Sequence, residues 1–501
     1  MDRSDILPAS AAVAVVAASA AAQAAPSSAP LPGDDIRHLL SRTGFGPTPG
    51  ELASFAGLDY VQAVDRVLGT MRAQAAQKLP DFMSESPADL IRMRQEMRAP
   101  ANSATSSGKP PPILPKVAMV IRQQALDAKR WWYDELVSTP SPFTERMVMF
   151  WHNHFTSSVQ KVRYVPAMLR QNELFRREAA GNFGRLLHAV ARDPAMLIYL
   201  DGATSRRGQP NENFARELME LFTLGEGNYT EQDIKQAARA FTGNSIDRQT
   251  GQYRFYPGLH DDGEKYVFGA SGDFDGDQVV DMLLRNPRTA EFVVNKLWRE
   301  FVSLTPDPAE VKRLAGVLRN ANYEMKPLLR ELFLSAAFRD PRNRGVLFKS
   351  PVEMVVGTVR LLQLPVENKT KLVAASRALG QDLFDPPNVK GWPGGEAWIT
   401  TYTLVMRQQI LQRVVQATQV AMYDRQMKLM ADQQQMQTPI EGRSLRDVPM
   451  AIKVPDSFAR IDVAGLAKVM LPVAPLEPVD PALPLGEAMA RLMLDPVYQL
   501  K

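Results

Sequence analysis

Apolar residues recur at helical spacing along most of this chain of 501 residues. A first stripe includes Ile36, Leu39 and Leu40, and the same period runs through most of residues 116–241 and returns at residues 278–362. Side chains three and four positions apart share one face of a helix, so this period indicates amphipathic helices. The sequence therefore predicts a mainly α fold, a large multi-helix body with long Gly/Pro/Trp loops and at most a small β excursion.

Local signals mark several helix ends and one short strand. Ser141 and Thr48 each directly precede a proline, and each is a predicted N-cap. A hydroxyl can accept a hydrogen bond from a free backbone N–H at the start of a helix, and proline at the first helical position has no N–H that would stay unpaired. Thr230 with Asp233 three residues later resembles a capping box. The Asp/Gly segment at residues 273–277 is predicted to cap the helix that follows, and residues 252–256 are predicted to form a short strand.

Changes in composition divide the chain into segments. An alanine/valine run that is too short to span a bilayer precedes the small-residue pattern Ala22-Gln23-Ala24, which is typical of a cleaved signal peptide. A disordered alanine-rich tail is the alternative interpretation. The predicted segments are a signal peptide (1–25), a linker (26–33), a helical domain (34–407) with a mobile segment (99–115) and a loop insertion (244–276), and a Met/Gln-rich helix with a Pro-interrupted C-terminal extension (408–501).

The signal peptide predicts a periplasmic or secreted protein. No later segment has about 18 uninterrupted apolar residues, so we expect no membrane span in the mature chain. The chain has no cysteine, which excludes disulfides, thiolate metal sites and cysteine nucleophiles. The net charge is only +4 and no Lys/Arg run tracks a phosphate backbone, so we expect no nucleic-acid partner.

Two of the five histidines lie close together in the segment Trp151-His152-Asn153-His154-Phe155. On a helix, residues two apart diverge by about 200°, so His152 and His154 would point to different sides. His154 would then be a hydrogen-bonded core residue, and His152 a helix-end or cleft residue. If the helix instead ended near Trp151, an extended His-x-His could bind a divalent metal together with a carboxylate.

A second group of polar residues lies opposite an apolar stripe in residues 211–224. Asn213, Arg216, Glu217 and Glu220 share the polar side of this predicted helix. Surface ion pairs at a spacing of four residues would explain the charges. Alternatively, the polar side lines a cleft in which Glu217 or Glu220 acts as a general acid/base or a metal ligand, and Asn213 and Arg216 bind substrate.

Two loops hold further candidates. In the first, His260 and Asp261 are candidate acid/base residues, because a neighbouring carboxylate can orient an imidazole, and Lys265 is a candidate for binding substrate. In the second, three prolines and three glycines at residues 384–395 predict a rigid loop. Here Asn388 is a candidate for binding substrate, and Trp392 either offers a stacking face to a sugar or anchors the loop.

Seven segments together resemble one known family, the domain of unknown function 1800 family, between about residues 36 and 407. They are residues 37–46 (RHLLSRTGFG), 150–155 (FWHNHF), 193–197 (DPAML), 211–224 (NENFARELMELFTL), 260–265 (HDDGEK), 349–351 (KSP) and 385–393 (DPPNVKGWP). The resemblance implies an exported bacterial protein, often encoded beside a sulfatase-like protein of the domain of unknown function 1501 family. It implies no established reaction.

Two hypotheses follow from these patterns. In the first, the protein is a hydrolase or lyase that acts on an envelope or extracellular polymer such as a polysaccharide. His152, His154, Glu217 and His260 would then meet at one cleft as acid/base or metal groups, with a divalent metal as the candidate cofactor. In the second, the protein is a non-enzymatic export or assembly partner of the sulfatase-like protein, and the motif residues hold loops together.

Overall fold

The structure is a computed structural model that describes residues 29–89, 92, 114–433 and 451–501. The predicted signal peptide, the first residues of the linker, nearly all of the segment 99–115 and residues 434–450 of the predicted C-terminal extension lie outside the described residues. The mainly α fold is confirmed. In the described part of the chain, β structure consists of two small antiparallel sheets, both within residues 244–276.

The helices and strands follow one another in the order α1 (Gly33–Thr43), α2 (Pro49–Phe55), α3 (Tyr60–Gly69), α4 (Leu114–Ser138), α5 (Pro142–His154), α6 (Val159–Val162), α7 (Val165–Arg177), α8 (Phe183–Ala191), α9 (Pro194–Tyr199), α10 (Glu212–Glu217), which continues as a π-helical turn (Leu218–Thr223), α11 (Glu231–Ala240), β1 (Asn244–Ile246), β2 (Tyr253–Phe255), β3 (Lys265–Val267), β4 (Ala270–Gly272), α12 (Gly276–Arg285), α13 (Pro287–Phe301), α14 (Pro308–Asn320), α15 (Met325–Leu334), α16 (Ala336–Arg339), α17 (Pro351–Leu361), α18 (Thr370–Ala378), α19 (Thr401–Gln433), α20 (Val463–Met470) and α21 (Leu485–Leu494). Among these described elements, no helix is long and apolar enough to cross a membrane.

Helix α5 lies inside the core and is buried on almost every side. Its one buried carboxylate, Glu145, accepts two hydrogen bonds from the guanidinium of Arg176 on α7, at 2.7 and 2.9 Å. The indole N–H of Trp132 on α4 donates a third bond to Glu145 at 2.9 Å. Because a buried charge needs partners, this cluster fixes three helices against one another.

Most of the predicted helix caps are confirmed. Thr230 and Asp233 form a capping box at the start of α11, and Thr48 does the same at the start of α2. Asp275 caps α12, as the Asp/Gly segment predicted. The cap predicted at Ser141 is wrong: proline does occupy the first position of α5, but the Ser141 hydroxyl bonds to the Thr144 hydroxyl at 2.7 Å rather than to a backbone N–H.

The last residues of the chain belong to the same core. Phe348 and Leu500 form an antiparallel bridge. The Lys349 N–H donates to the Gln499 carbonyl, and the Lys501 N–H donates to the Leu347 carbonyl, each at 2.8 Å. Strand-like pairing therefore joins the segment before α17 to the C-terminal residues.

Candidate functional site

An open cleft has a volume of about 540 Å³. It lies where α5 and α13 meet the loop at residues 383–400. Phe150, Asn153 and His154 come from α5, Lys296, Arg299 and Glu300 from α13, and Lys390, Trp392 and Glu396 from the loop. An inner pocket of about 80 Å³ shares several of these walls and reaches Arg146, Glu353 and Lys501.

The Asn153 side chain fixes the loop onto α5. Its Oδ1 accepts the Trp392 N–H at 2.7 Å, and its Nδ2 donates to the Trp392 carbonyl at 3.4 Å. Gly391 makes this approach possible: its φ is +82°, and a Cβ at this position would lie 2.2 Å from Asn153 Oδ1. The local rule that glycine permits close backbone approach thus explains how two sequence motifs form one wall.

Three cations in the cleft have no carboxylate partner within ion-pair distance among the described residues: Lys296, Arg299 and Lys390. Lys296 is partly buried, and its Nζ donates to the Leu221 carbonyl at 3.0 Å. Burial, together with the charge of Arg299, lowers the pKa of Lys296 to about 8. Arg299 and Lys390 are exposed. The lining also holds two carboxylates, Glu300, which pairs with Arg146 and Lys501, and Glu396, so the cleft carries three cations against two anions.

The inner pocket has a different character, because its charges are paired. Arg146 contacts both Glu300 and Glu353, and Lys501 Nζ lies 2.5 Å from Glu353 and 3.7 Å from Glu300. Burial alone would raise the pKa of Glu353, but Arg146 and Lys501 outweigh it and lower that pKa to about 2. Glu353 is thus a charged anchor and an unsuitable general acid.

His152 is enclosed by aromatic rings. It is 1% exposed, and its ring centroid lies 5.6 Å from those of Trp132 and Trp392. Burial lowers its pKa to about 3. The metal interpretation required α5 to end near Trp151, but the helix continues to His154. The extended His-x-His is therefore wrong, because the helix sends the two imidazoles to different sides.

His154 forms part of the cleft wall. Its Nε2 donates to the Phe222 carbonyl at 3.1 Å, so this nitrogen carries the hydrogen. Its Nδ1 is buried and has no hydrogen-bond partner. Burial, followed by the nearby Lys296, lowers its pKa well below the usual value. Across the described ranges, no three His, Asp or Glu residues are arranged to hold a metal ion.

Two residues on the polar side of α10, Arg216 and Asn213, form contacts at the surface. Arg216 donates to Glu231 at 2.8 Å through two nitrogens and to Glu212 at 3.3 Å, so the surface-pair interpretation describes it. Asn213 is exposed and bonds to Asp201 at 3.2 Å. Arg216 and Asn213 are not among the residues that line the cleft.

Glu217 is the α10 residue with an unusual environment. It is half-buried, and burial followed by the neighbouring Glu220 raises its pKa, against the smaller effects of Arg216 and Lys390. Glu217 is therefore within electrostatic reach of Lys390, and Lys390 lines the cleft. Glu220 accepts a hydrogen bond from the Tyr229 hydroxyl at 2.8 Å.

His260, Asp261 and Lys265 lie in the insertion and are each held by a nearby partner. His260 Nδ1 donates to the Thr242 carbonyl at 2.8 Å. The Arg239 guanidinium binds both Asp261 oxygens at 2.8 and 2.9 Å and lowers the pKa of that carboxyl to about 2. Lys265 is buried against Asp273 at 2.8 Å. The expectation that these residues share a wall with the α5 histidines is therefore wrong, since each is held by a partner in or next to the insertion and none of the three lines the cleft.

Of the two candidate residues in the rigid loop, Trp392 lines the cleft and Asn388 does not. Trp392 lines it but is only 4% exposed, so the anchoring interpretation describes most of its surface. Its indole N–H is buried without a partner. Asn388 is exposed, and its Oδ1 accepts the Lys390 N–H at 2.9 Å, which shapes the turn that presents Lys390.

Sequence reasoning missed most of the cations of the cleft and inner pocket, including Arg146, Lys296, Arg299 and Lys501. Lys296, Arg299 and Glu300 have the spacing of one helix face, and this was the available signal. A solvated face has the same spacing. Only the packing of the loop over α13 distinguishes the two.

Comparison with known proteins gives one match. A family model described as "Protein of unknown function (DUF1800)" matches residues 38–495. The match extends beyond Arg407, through most of the segment that the sequence analysis placed after the family domain. No curated protein and no solved structure matches this chain significantly.

Proposed function

Since this chain belongs to the DUF1800 family, whose description names no activity, we propose its function from the chemistry of the cleft. The proposal is an exported protein that binds an acidic envelope or extracellular polymer in the cleft and cleaves it as a hydrolase or lyase. Residues 1–25 would direct export. N-terminal sequencing of the protein recovered from the periplasm or medium tests that part, and an intact Met1 in the cytoplasmic fraction alone would contradict it.

The unpaired cations are the observation that carries the proposal. Lys296, Arg299 and Lys390 face one open volume and have no carboxylate partner among the described residues, whereas Arg146 and Lys501 of the adjoining inner pocket are paired. The lining holds these three cations against two carboxylates, Glu300 and Glu396, and an excess of one sign of charge attracts ligands of the opposite sign. A polymer that carries carboxylates or sulfates would supply the missing anions at successive positions.

Two groups have pKa shifts that suit a proton-transfer pair: Lys296 lines the cleft, and Glu217 does not line it but lies within electrostatic reach of Lys390, which does. The pKa of Lys296 is lowered to about 8, and the pKa of Glu217 is raised above its usual value. Acid/base catalysis is most efficient when the pKa values of the acting groups lie near the working pH, which is the direction of both shifts. Lys296 is the candidate base and Glu217 the candidate acid.

Binding is tested with two oligosaccharides of equal length, one rich in uronic acid and one neutral, by calorimetry at two salt concentrations. We expect the acidic ligand alone to bind, with an affinity that falls as salt rises. Arg299→Gln with Lys390→Gln should weaken binding at least tenfold. Arg285→Gln with Lys312→Gln, which changes two exposed cations away from the cleft, should not. Equal binding of the neutral ligand, or equal loss in both double variants, would refute the proposal.

Cleavage is tested separately, by the release of reducing ends and by the ultraviolet absorbance of an unsaturated product, which only a lyase forms. Glu217→Gln should lower turnover at least a hundredfold while binding remains. Glu226→Gln, at an exposed position, is the matched control. Binding without any product from a broad panel of acidic polymers would restrict the function to recognition.

One observation favours the non-enzymatic alternative. His152, Asp261 and Lys265 are each held in internal contacts, as expected if these motif residues stabilise loops. The second candidate function is therefore assembly with a sulfatase-like protein. This function would be supported if a tagged copy co-purified with that protein from the native host and if the Glu217→Gln variant still did so. Recovery of the tagged protein alone would contradict it.

A further inference from the structure

A second and smaller cavity lies between α1, the turn after it, the start of α17 and the C-terminal segment. Its volume is about 20 Å³, and Arg37, Ser41, Gly46, Lys349 and Tyr498 contribute to its walls. Four of these residues belong to the motifs at 37–46 and 349–351, which have no part in the cleft just described. These motifs therefore meet at a site of their own.

The charged groups around this cavity are hydrogen-bond donors. Arg37 is 4% exposed, and its Nη2 donates to the Pro472 carbonyl at 2.9 Å. Lys349 Nζ lies 3.9 Å from the centroid of the Tyr498 ring. Neither side chain has a carboxylate within ion-pair distance among the described residues. Arg and Lys have no acceptor atoms, so each needs an acceptor from elsewhere.

The nearby charges leave this need unmet. Burial lowers the pKa of Lys349 to about 7, and Arg37, Arg407 and Lys501 add to that effect, while Glu353 opposes it. Glu353 already bonds to Arg146 and Lys501. The cavity therefore has an excess of positive charge that a water molecule cannot neutralise.

We propose that this cavity binds one small monovalent anion of the size of chloride, held between the Arg37 guanidinium and the Lys349 ammonium. A cavity of this size admits one water-sized occupant and excludes phosphate or sulfate. The anion would supply the negative charge that neither cation receives from a described carboxylate. It would also tie the C-terminal residues Pro472 and Tyr498 to α1 and to the start of α17. This inference is independent of the proposed function of the cleft.

Binding of the anion would depend on pH in a defined direction. An anion favours the charged form of Lys349, so it binds more tightly below the pKa of that amine than above it. The pKa values of Arg37 and Arg407 are lowered only to about 10 and that of Glu353 to about 2, so these three groups keep their charges near neutral pH. Burial also lowers the pKa of Lys501, which is paired with Glu353. Lys349 is therefore the group that sets the dependence.

The deciding experiment is a crystal of the full chain grown with bromide in place of chloride. An anomalous difference peak between Arg37 and Lys349 is expected in the wild type. The peak should disappear in Lys349→Met and remain in Lys326→Met, which changes an exposed lysine on α15. A cavity without anomalous signal in the wild-type crystal would overturn the proposal, and so would a full peak in Lys349→Met.

A solution measurement gives an independent result. The melting temperature of the wild type should rise with chloride concentration when gluconate, an anion too large for the cavity, keeps the ionic strength constant. The rise should be larger below the Lys349 pKa than above it, and Lys349→Met should lose it. Equal melting temperatures in chloride and gluconate would contradict the proposal even if the variant failed to fold.

Discussion

Replacing Arg176 by Met tests the most deeply buried ion pair that joins two helices. The side chains of Arg176 and Glu145 are 0% and 1% exposed. The substitution removes two of the three hydrogen bonds that reach Glu145 and leaves only the Trp132 indole. Breaking a buried pair by removing one partner typically costs about 3–5 kcal/mol, whereas an exposed pair contributes about 0–1 kcal/mol. We therefore expect Arg176→Met to lower the free energy of unfolding by about 4 kcal/mol.

Urea unfolding followed by circular dichroism and tryptophan fluorescence gives the measurement. Arg330→Met is the matched control, since Arg330 pairs with Asp65 at the surface. The double variant Glu145→Met with Arg176→Met removes both charges, so it should be more stable than Arg176→Met alone. The reasoning is refuted if Arg176→Met costs no more than Arg330→Met, or if the double variant is the least stable of the four proteins.

Three further predictions concern a cap, a glycine and an acid transition. Asp193 accepts hydrogen bonds from the Met196 N–H at 2.8 Å and from the Gln171 amide at 2.7 Å. In urea unfolding, Asp193→Ala should therefore lower the free energy of unfolding by about 2–3 kcal/mol, and Asp193→Asn by less than half of that. Equal losses would contradict the capping role. Gly391 and Gly394 both have positive φ, but only at Gly391 would a Cβ overlap Asn153, so Gly391→Ala should lose at least ~2 kcal/mol more than Gly394→Ala by the same assay. The Glu353 pKa is lowered from 4.5 to about 2, so its stabilisation is complete above pH 4.5 and is lost as pH falls toward 2. Acid titration of unfolding should therefore be steeper over that interval in the wild type than in Glu353→Gln, and identical slopes would exclude this role.

Periodicity and capping rules predicted the helical framework well, because both depend on neighbours in sequence. Thr230 and Asp233, three residues apart, form the predicted capping box at the start of α11. The failure at Ser141 has a local cause, since Thr144 offers its hydroxyl a competing partner. The two outcomes for α5 that the sequence left open differ in where the helix ends, and the helix continues to His154.

The candidate site was less accessible to sequence reasoning, because charge alone does not reveal exposure. Glu217 and Arg216 are adjacent in sequence, yet one is half-buried near the cleft and the other pairs at the surface. In the sequence, Lys296 resembles any other helical lysine. Only the structure shows that it bonds to the Leu221 carbonyl and faces the loop at residues 383–400 across the cleft. Asp261 looked like a catalytic carboxylate, but Arg239, 22 positions earlier, neutralises it.

The helix that carries Glu217 ends directly against the cleft. The last carbonyls of any helix lack a donor within that helix. Here Lys296 supplies one to Leu221, and His154 supplies one to Phe222, so two side chains of the cleft wall close the final π-helical turn. A ligand that attracted the Lys296 ammonium would break the hydrogen bond to the Leu221 carbonyl and loosen that turn. Occupancy of the cleft and the rigidity of the segment bearing Glu217 are thus mechanically linked.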